Sequence, residues 1–274
     1  MNVEESTIVK KKSTPSGWIW TTVGEIATLK NGINFTKNEK GTKGIPTIDV
    51  LNMYSDSPYV KLDNVYRVDK KYSDDYILKD GDILFVRSSV KREGVGWATL
   101  FRAEQENITF CGFIIRARLL TVGILPSYLI YYLRSKKVRK EIIDSSSQVT
   151  ITNINQLSLS KIKIPLAPFS EQKRMVSKIE ELFSQIDKSE EFIKKIFGVV
   201  GEYLIKRKSK TDKSEIFGQF EKLREGILQK AFDGDLVPQN SDDETLEKIL
   251  EKLKQEKEQL IQKQKESRRS KNVK

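Results

Sequence analysis

The chain has 274 residues, 38% of them apolar, with one cysteine, no histidine and a formal net charge of +11. Without an imidazole, Ser-His-Asp and Cys-His catalysis and histidine-ligated zinc are excluded. The lone thiol, Cys111, excludes an internal disulfide and a multi-thiolate metal site. No stretch reaches the roughly 20 continuous apolar residues of a membrane span, and neither a P-loop nor a Gly-rich dinucleotide fingerprint is present. A cytoplasmic protein that is not an ATPase or a dinucleotide enzyme is expected.

The positive charge is unevenly placed. Residues 17–169 hold 22 Lys and Arg against 15 Asp and Glu, whereas residues 170–274 hold 24 against 21. A net-positive globule suits a polyanion, and a balanced, charge-dense segment suits solvated helices.

In chain order, residues 1–16 read as a flexible polar arm. Order is expected from Gly17-Trp18-Ile19-Trp20 onward. Short β-prone runs between Gly, Asn, Pro and Asp turns follow to about Tyr76, among them Ile45-Pro46-Thr47-Ile48-Asp49-Val50. Leu78-Lys79-Asp80-Gly81-Asp82 reads as a turn feeding the apolar strand Ile83-Leu84-Phe85-Val86, which opens into a polar loop over 87–96. A second strand pair is expected over 96–120. Pro126 then begins a helix with Tyr128, Leu129, Tyr132 and Leu133 on one face and Arg134, Lys136, Lys137 and Lys140 elsewhere. A hydroxyl-rich loop over 145–153 follows, and residues 157–164 alternate as a half-buried strand. Trp18, Trp20, Phe85, Trp97 and Phe113 are assigned to the core, and Cys111 to a plain buried thiol.

After Phe169 the period changes. Ser170 can cap a helix in which Met175, Ile179, Leu182, Ile186, Ile193, Ile196 and Val200 follow a heptad seam. About 35 helical residues span roughly 50 Å, more than the globule needs for its own core, so the seam is expected to be a subunit interface. Two more helical segments follow, over 215–232 and 243–265, separated by a C-cap glycine, Gly234, and by Pro238.

Two loops carry the candidate chemistry. Arg87-Ser88-Ser89-Val90-Lys91-Arg92 combines guanidinium forks, hydroxyls and an ammonium, a set able to grip phosphates and to reach guanine O6 and N7. Gln148, Thr150, Thr152 and Asn153 offer amide and hydroxyl groups suited to base edges. Lys136, Lys137 and Lys140, with Arg139, are candidate phosphate contacts, which position a protein without reading sequence. Each has a plainer alternative, a solvated loop or a solvated helix face. Glu171-Gln172-Lys173 matches the tail of a nuclease carboxylate-lysine motif, but it lies at a helix start with no acidic partner in view.

Four blocks together carry a family resemblance. They are Gly17-Trp18 with Val23-Gly24-Glu25-Ile26, then Leu78 through Ser89, then Ile162-Lys163-Ile164-Pro165-Leu166-Ala167-Pro168-Phe169-Ser170-Glu171-Gln172, then Leu223-Arg224-Glu225-Gly226-Ile227-Leu228-Gln229-Lys230-Ala231-Phe232-Asp233-Gly234-Asp235-Leu236-Val237-Pro238-Gln239. In this order the chain resembles the specificity subunit of type I restriction-modification systems. The resemblance implies an α+β protein: a mixed α/β target recognition domain over 17–169, then long antiparallel coiled-coil-like helices, a spacer over 170–240 and a charged C-terminal helix and tail over 241–274. It implies a non-catalytic DNA-reading chain whose helices dock methyltransferase and, in some systems, restriction subunits. S-adenosylmethionine, ATP and Mg are then expected on those partners, which supply adenine methylation and ATP-dependent cleavage, and no cofactor or metal is expected on this chain. The family pattern has two recognition domains and two spacers, and here one of each is found. A half-length subunit that self-associates through its helices and one half of a longer or recombining protein both fit. A helical adaptor with incidental DNA binding and a metal-dependent nuclease are the alternatives.

Overall fold

In the computed structural model, residues 15–103, 106–121, 123–148, 151–204 and 213–240 are described, with isolated positions between 242 and 262. The globular part contains, in chain order, β1 (Ile19–Thr22), α1 (Val23–Ile26), β2 (Ala27–Asn31), β3 (Lys40–Gly41), β4 (Ile45–Ile48), β5 (Tyr66–Val68), β6 (Ile83–Val86), β7 (Ser88–Ser89), β8 (Ala98–Leu100), β9 (Thr109–Phe110) and β10 (Ile114–Leu119). It continues with α2 (Pro126–Arg134), α3 (Lys136–Asp144), β11 (Ser147–Gln148), β12 (Thr152–Asn153), α4 (Gln156–Ser160) and β13 (Lys163–Leu166). Two helices follow, α5 (Phe169–Leu204) and α6 (Lys213–Phe232). The class is α+β.

The central sheet has the order β2-β10-β6-β8 and is antiparallel throughout. Its key strand reads Ile-Leu-Phe-Val without a polar alternate because both faces are covered. Ile83 and Phe85 pack with Ile115, Leu129, Leu133 and Ile142 on one side. Leu84 and Val86 pack with Ile48, Met53, Phe110 and Ile114 on the other. The second sheet, β3-β5-β4-β9, lies on that latter side, and its β4–β9 pair is parallel.

The turn ahead of β6 is built as its sequence suggests. Gly81 takes a φ of +81°, where a side chain would be strained. Asp82, 1% exposed, accepts the Lys79 N–H at 2.7 Å and a two-pronged bond from Arg118 at 2.8 and 2.6 Å. A buried carboxylate thus serves the strand because a guanidinium fork satisfies it.

The globule closes on itself where β1 pairs with β13, Ile19 opposite Leu166, so its two ends meet at the root of α5. That junction is tied by the Glu171-Gln172 pair. Gln172, wholly buried, accepts the Leu125 N–H at 2.9 Å and donates to the carbonyls of Ala167 and Gly123 at 2.8 and 3.3 Å. Glu171 accepts from the Trp18 indole at 3.0 Å, and burial raises its pKa, a shift opposed by that indole donor. Helix α6 returns antiparallel along α5: Phe197 stacks near Phe217, Arg224 pairs with Asp187 and Glu190, and Leu228 and Ala231 share a core with Met175 and Ile179. Gly234, at φ +80°, ends α6.

Several sequence expectations are corrected. The helix expected from Pro126 is two helices, because Ser135 adopts an extended ψ of 145° between them. Residues 157–164 are not one strand. Asn155 accepts the Ser158 N–H and starts α4, and Leu159 drops into the core before β13 begins. Ser170 lies inside α5 and not at its cap, with its hydroxyl donated to Asp243. Trp18 and Phe85 are core, but Trp20 and Phe113 are 52% and 60% exposed. Cys111 is a free buried thiol, as expected, and burial raises its pKa.

Candidate nucleic-acid interface

The two loops singled out in the sequence form one structure. β7 pairs antiparallel with β12, Ser88 opposite Asn153 and Ser89 opposite Thr152, and β12 pairs with β11 to make a three-stranded sheet. Ser88 Oγ hydrogen-bonds Asn153 Oδ1 across 65 residues of sequence. The pairing extends by one bond, Ile154 N–H to the Arg87 carbonyl at 2.9 Å. Two-residue strands carry little packing of their own, so these cross-strand bonds fix the register.

Arg87 is anchored at the edge of this sheet. Its N–H donates to the Phe113 carbonyl at 2.8 Å and one terminal nitrogen donates to the Gly112 carbonyl at 3.1 Å, leaving the side chain half-buried. Lys91 and Arg92 are exposed on the following turn, and Arg92 lies 3.4 Å from Asp144 at the end of α3. Asn153 is exposed, with its amide nitrogen on the Ile151 carbonyl at 2.9 Å. Polar groups of these types, held on a short sheet edge, can donate to and accept from base edges and phosphates.

Not every candidate faces out. Thr152 is 1% exposed and Ser89 7%, with Ser89 Oγ hydrogen-bonded to the Tyr54 hydroxyl at 3.1 Å, so both shape the sheet and cannot reach a base. Strand alternation explains this, since neighbours on β7 and on β12 point to opposite faces. Gln148 is placed in β11 by its backbone; its side chain and Thr150 lie outside the described residues. Lys136, Lys137 and Lys140 are exposed on α3, and α3 is itself capped by Glu225 of α6, which accepts the Lys136 N–H at 3.0 Å.

Arg139 is the exception in that basic cluster. Only 7% exposed, it donates to the carbonyls of Glu93 and Val95 at 2.7 and 2.9 Å and lies over the Trp97 ring. Arg134 lies over the same ring and donates to the carbonyls of Ser55, Asp56 and Ser57. Burial pushes both guanidinium pKa values down to about 10, and Arg134 adds to the effect on Arg139. Both stay charged at neutral pH, where they hold two backbone segments, 55–57 and 93–95, against one tryptophan.

Those segments border a cleft of about 900 Å³ that opens beside the sheet. Leu51, Tyr54, Val90, Phe113 and Ile151 line it and are all substantially exposed. Sequence reasoning placed Phe113 in the core and passed over the other four as contacts. The one signal was Val90, an apolar residue inside an otherwise polar loop.

The seam on α5 also divides. Met175 and Ile179 are buried with Trp18, Tyr128 and Tyr131, and Ile186 is 8% exposed, so these three belong to the chain's own core and not to a partner interface. The physical reason is that α2 and α6 cover the root of α5. Leu182 and Ile193 are half-buried and Ile196 is 38% exposed; the side chain of Val200 lies outside the described residues.

The family model described as "Type I restriction modification DNA specificity domain" matches residues 15–196. The chain belongs to this type I specificity family. Relatives include the specificity subunit of the type I restriction enzyme StySPI from Salmonella potsdam, 24% identical over 85% of this chain and 46% of the relative. Another is the EcoKI specificity subunit of Escherichia coli K12, 26% identical over 63% of this chain and 38% of the relative. The chain therefore spans less than half the length of these type I specificity subunits. A solved structure from work on assembly and conformational transition of a type I R-M system superposes with a TM-score of 0.53 at 18% identity, covering 83% of this chain and 49% of that one, which shows a shared fold. Among the described residues of this family member, no group of three or more His, Cys, Asp or Glu is placed to hold a metal ion, and no helix is long and apolar enough to cross a membrane.

Proposed function

We propose that this chain is the sequence-specific DNA recognition subunit of a type I restriction-modification complex, reading one half of a bipartite target with residues 17–169. The observation that carries the proposal is the β7–β12 sheet, which brings Arg87, Ser88 and Asn153 to one edge beside Lys91 and Arg92. The basic excess of that region supports it. Lys136, Lys137 and Lys140 contact phosphates.

Helices α5 and α6 form the spacer that docks methyltransferase subunits and, where present, restriction subunits. S-adenosylmethionine, ATP and Mg reside on those partners, and this chain performs no chemistry. The docking surface begins beyond the root of α5, where Phe192, Ile196 and Leu223 are 63%, 38% and 55% exposed, an arrangement suited to coiled-coil pairing. Two copies joined there rebuild a two-domain specificity unit and read a palindromic bipartite site.

Co-expression with methyltransferase subunits, followed by mapping of modified adenines, tests the assignment. A bipartite motif that depends on this chain supports it. Methylation or cleavage by the purified chain alone would refute it.

A further inference from the structure

We infer that the cleft beside the β7–β12 sheet is a second base-reading surface, one that recognises the 5-methyl group of thymine in the major groove of duplex DNA. The inference rests on the DNA-reading assignment above and adds an apolar element to it.

The first observation is exposure. Leu51, Val90, Phe113 and Ile151 are 82%, 86%, 60% and 46% exposed, and all four line one cleft. Large apolar side chains held in water around one concavity mark a binding surface. The second is continuity with the polar edge. Val90 follows Ser89 of β7, Ile151 precedes Thr152 of β12, and the Phe113 carbonyl takes the Arg87 N–H. Apolar and polar groups are thus interleaved on one reading edge. The thymine methyl is the apolar group that a base pair offers in the major groove, beside its donors and acceptors.

Charge fits the same occupant. Lys61 and Lys91 line the cleft, and Arg87 and Arg92 flank it. Of the acidic lining residues, Asp49 is engaged in capping the Val50 N–H at 2.7 Å, and Asp56 lies beside Arg134. Glu93 is a carboxylate of the kind that accepts from a cytosine amino group.

An extrahelical base would need free donors and acceptors deep in the cleft. Here the Tyr54 and Ser89 hydroxyls bond each other at 3.1 Å. Gly94 covers the pair so closely that a Cβ would lie 2.4 Å from both oxygens. Leu51, Val90, Phe113 and Ile151 stand in solvent instead, which suits contact with base edges. The Arg134–Trp97–Arg139 stack fixes both bordering segments before DNA arrives, so little ordering cost is left for binding.

The test uses the full chain and a duplex carrying the motif mapped by methylation. Each thymine of the half-site is replaced in turn by deoxyuridine, which lacks only the methyl, and affinity is read by fluorescence anisotropy at fixed salt. At least one replacement should weaken binding about fourfold, the worth of one buried methyl-sized group. That penalty should vanish in at least one of L51S, V90S, F113S and I151S, whose exposed positions leave the core intact. Neutral replacements throughout, a penalty unchanged in all four variants, or a half-site without thymine would overturn the inference while leaving sequence-specific binding in place. Absence of any sequence preference would overturn the DNA-reading assignment, and this inference with it.

Discussion

Replacing Gln172 by leucine tests how the helices are joined to the globule. The glutamine is wholly buried and joins three backbone groups: the Leu125 N–H that starts α2, the Ala167 carbonyl after β13 and, less closely, the Gly123 carbonyl. Leucine fills a similar space but makes none of these bonds. A buried backbone group left unpaired costs about 1–3 kcal/mol. Two such groups, with the 3.3 Å bond to Gly123 set aside as weak, give a loss of about 3 kcal/mol. For a urea slope of about 3 kcal/mol/M, the unfolding midpoint by circular dichroism should fall by about 1 M at unchanged slope. Gln172→Glu keeps the acceptor and loses the donor, so it should not restore wild-type stability. A loss under about 1 kcal/mol in Gln172→Leu would refute the reasoning, because the three bonds would then be dispensable.

Neutralising Lys136, Lys137 and Lys140 together should weaken binding to all duplexes and flatten the salt dependence by about one unit per phosphate contact removed; an unchanged slope in a filter-binding series would take them out of the interface. Gly94→Ala places a Cβ 2.4 Å from the Tyr54 and Ser89 hydroxyl oxygens, so it should break their bond and lower sequence preference without changing the salt slope, as measured by competition binding. Asp243, held down to about 2 chiefly by its hydrogen bond with Arg174, is a carboxylate depressed on folding. Its contribution is present above the unfolded value near 4 and is lost as pH falls toward 2. After solvent screening it amounts to about 1 kcal/mol. Asp243→Asn should remove that part of the acid sensitivity between about pH 4 and pH 2, a difference that acid titrations of both proteins would reveal.

Much of the architecture was legible because it is written in local pattern. The Leu78-to-Ser89 run announced a turn and an apolar strand, and the four-three spacing after Phe169 announced α5. The β7–β12 sheet was half legible: both loops were chosen for their side chains, but nothing local said that they pair, since a contact across 65 residues leaves no trace in periodicity. Inward and outward positions within two-residue strands were equally hidden, which is why Ser89 and Thr152 were offered as contacts. The Arg139 correction has a different cause. Composition ranks arginine as a surface cation, and only tertiary placement next to Trp97 and two free carbonyls makes its burial favourable. Met175 and Ile179 were correctly placed on an apolar seam and wrongly left for a partner, because periodicity identifies a face without identifying what covers it.

The most direct measurement compares affinity for a duplex bearing the mapped half-site with affinity for a scrambled duplex, for the wild-type chain and for Arg87→Ala and Asn153→Ala. A wild-type ratio of about a thousandfold or more, reduced in each variant by the roughly 1–3 kcal/mol of a lost base contact while scrambled-duplex affinity stays level, is the expected result. A wild-type ratio near one, or a ratio indifferent to both substitutions, would contradict the assignment of base reading to this sheet.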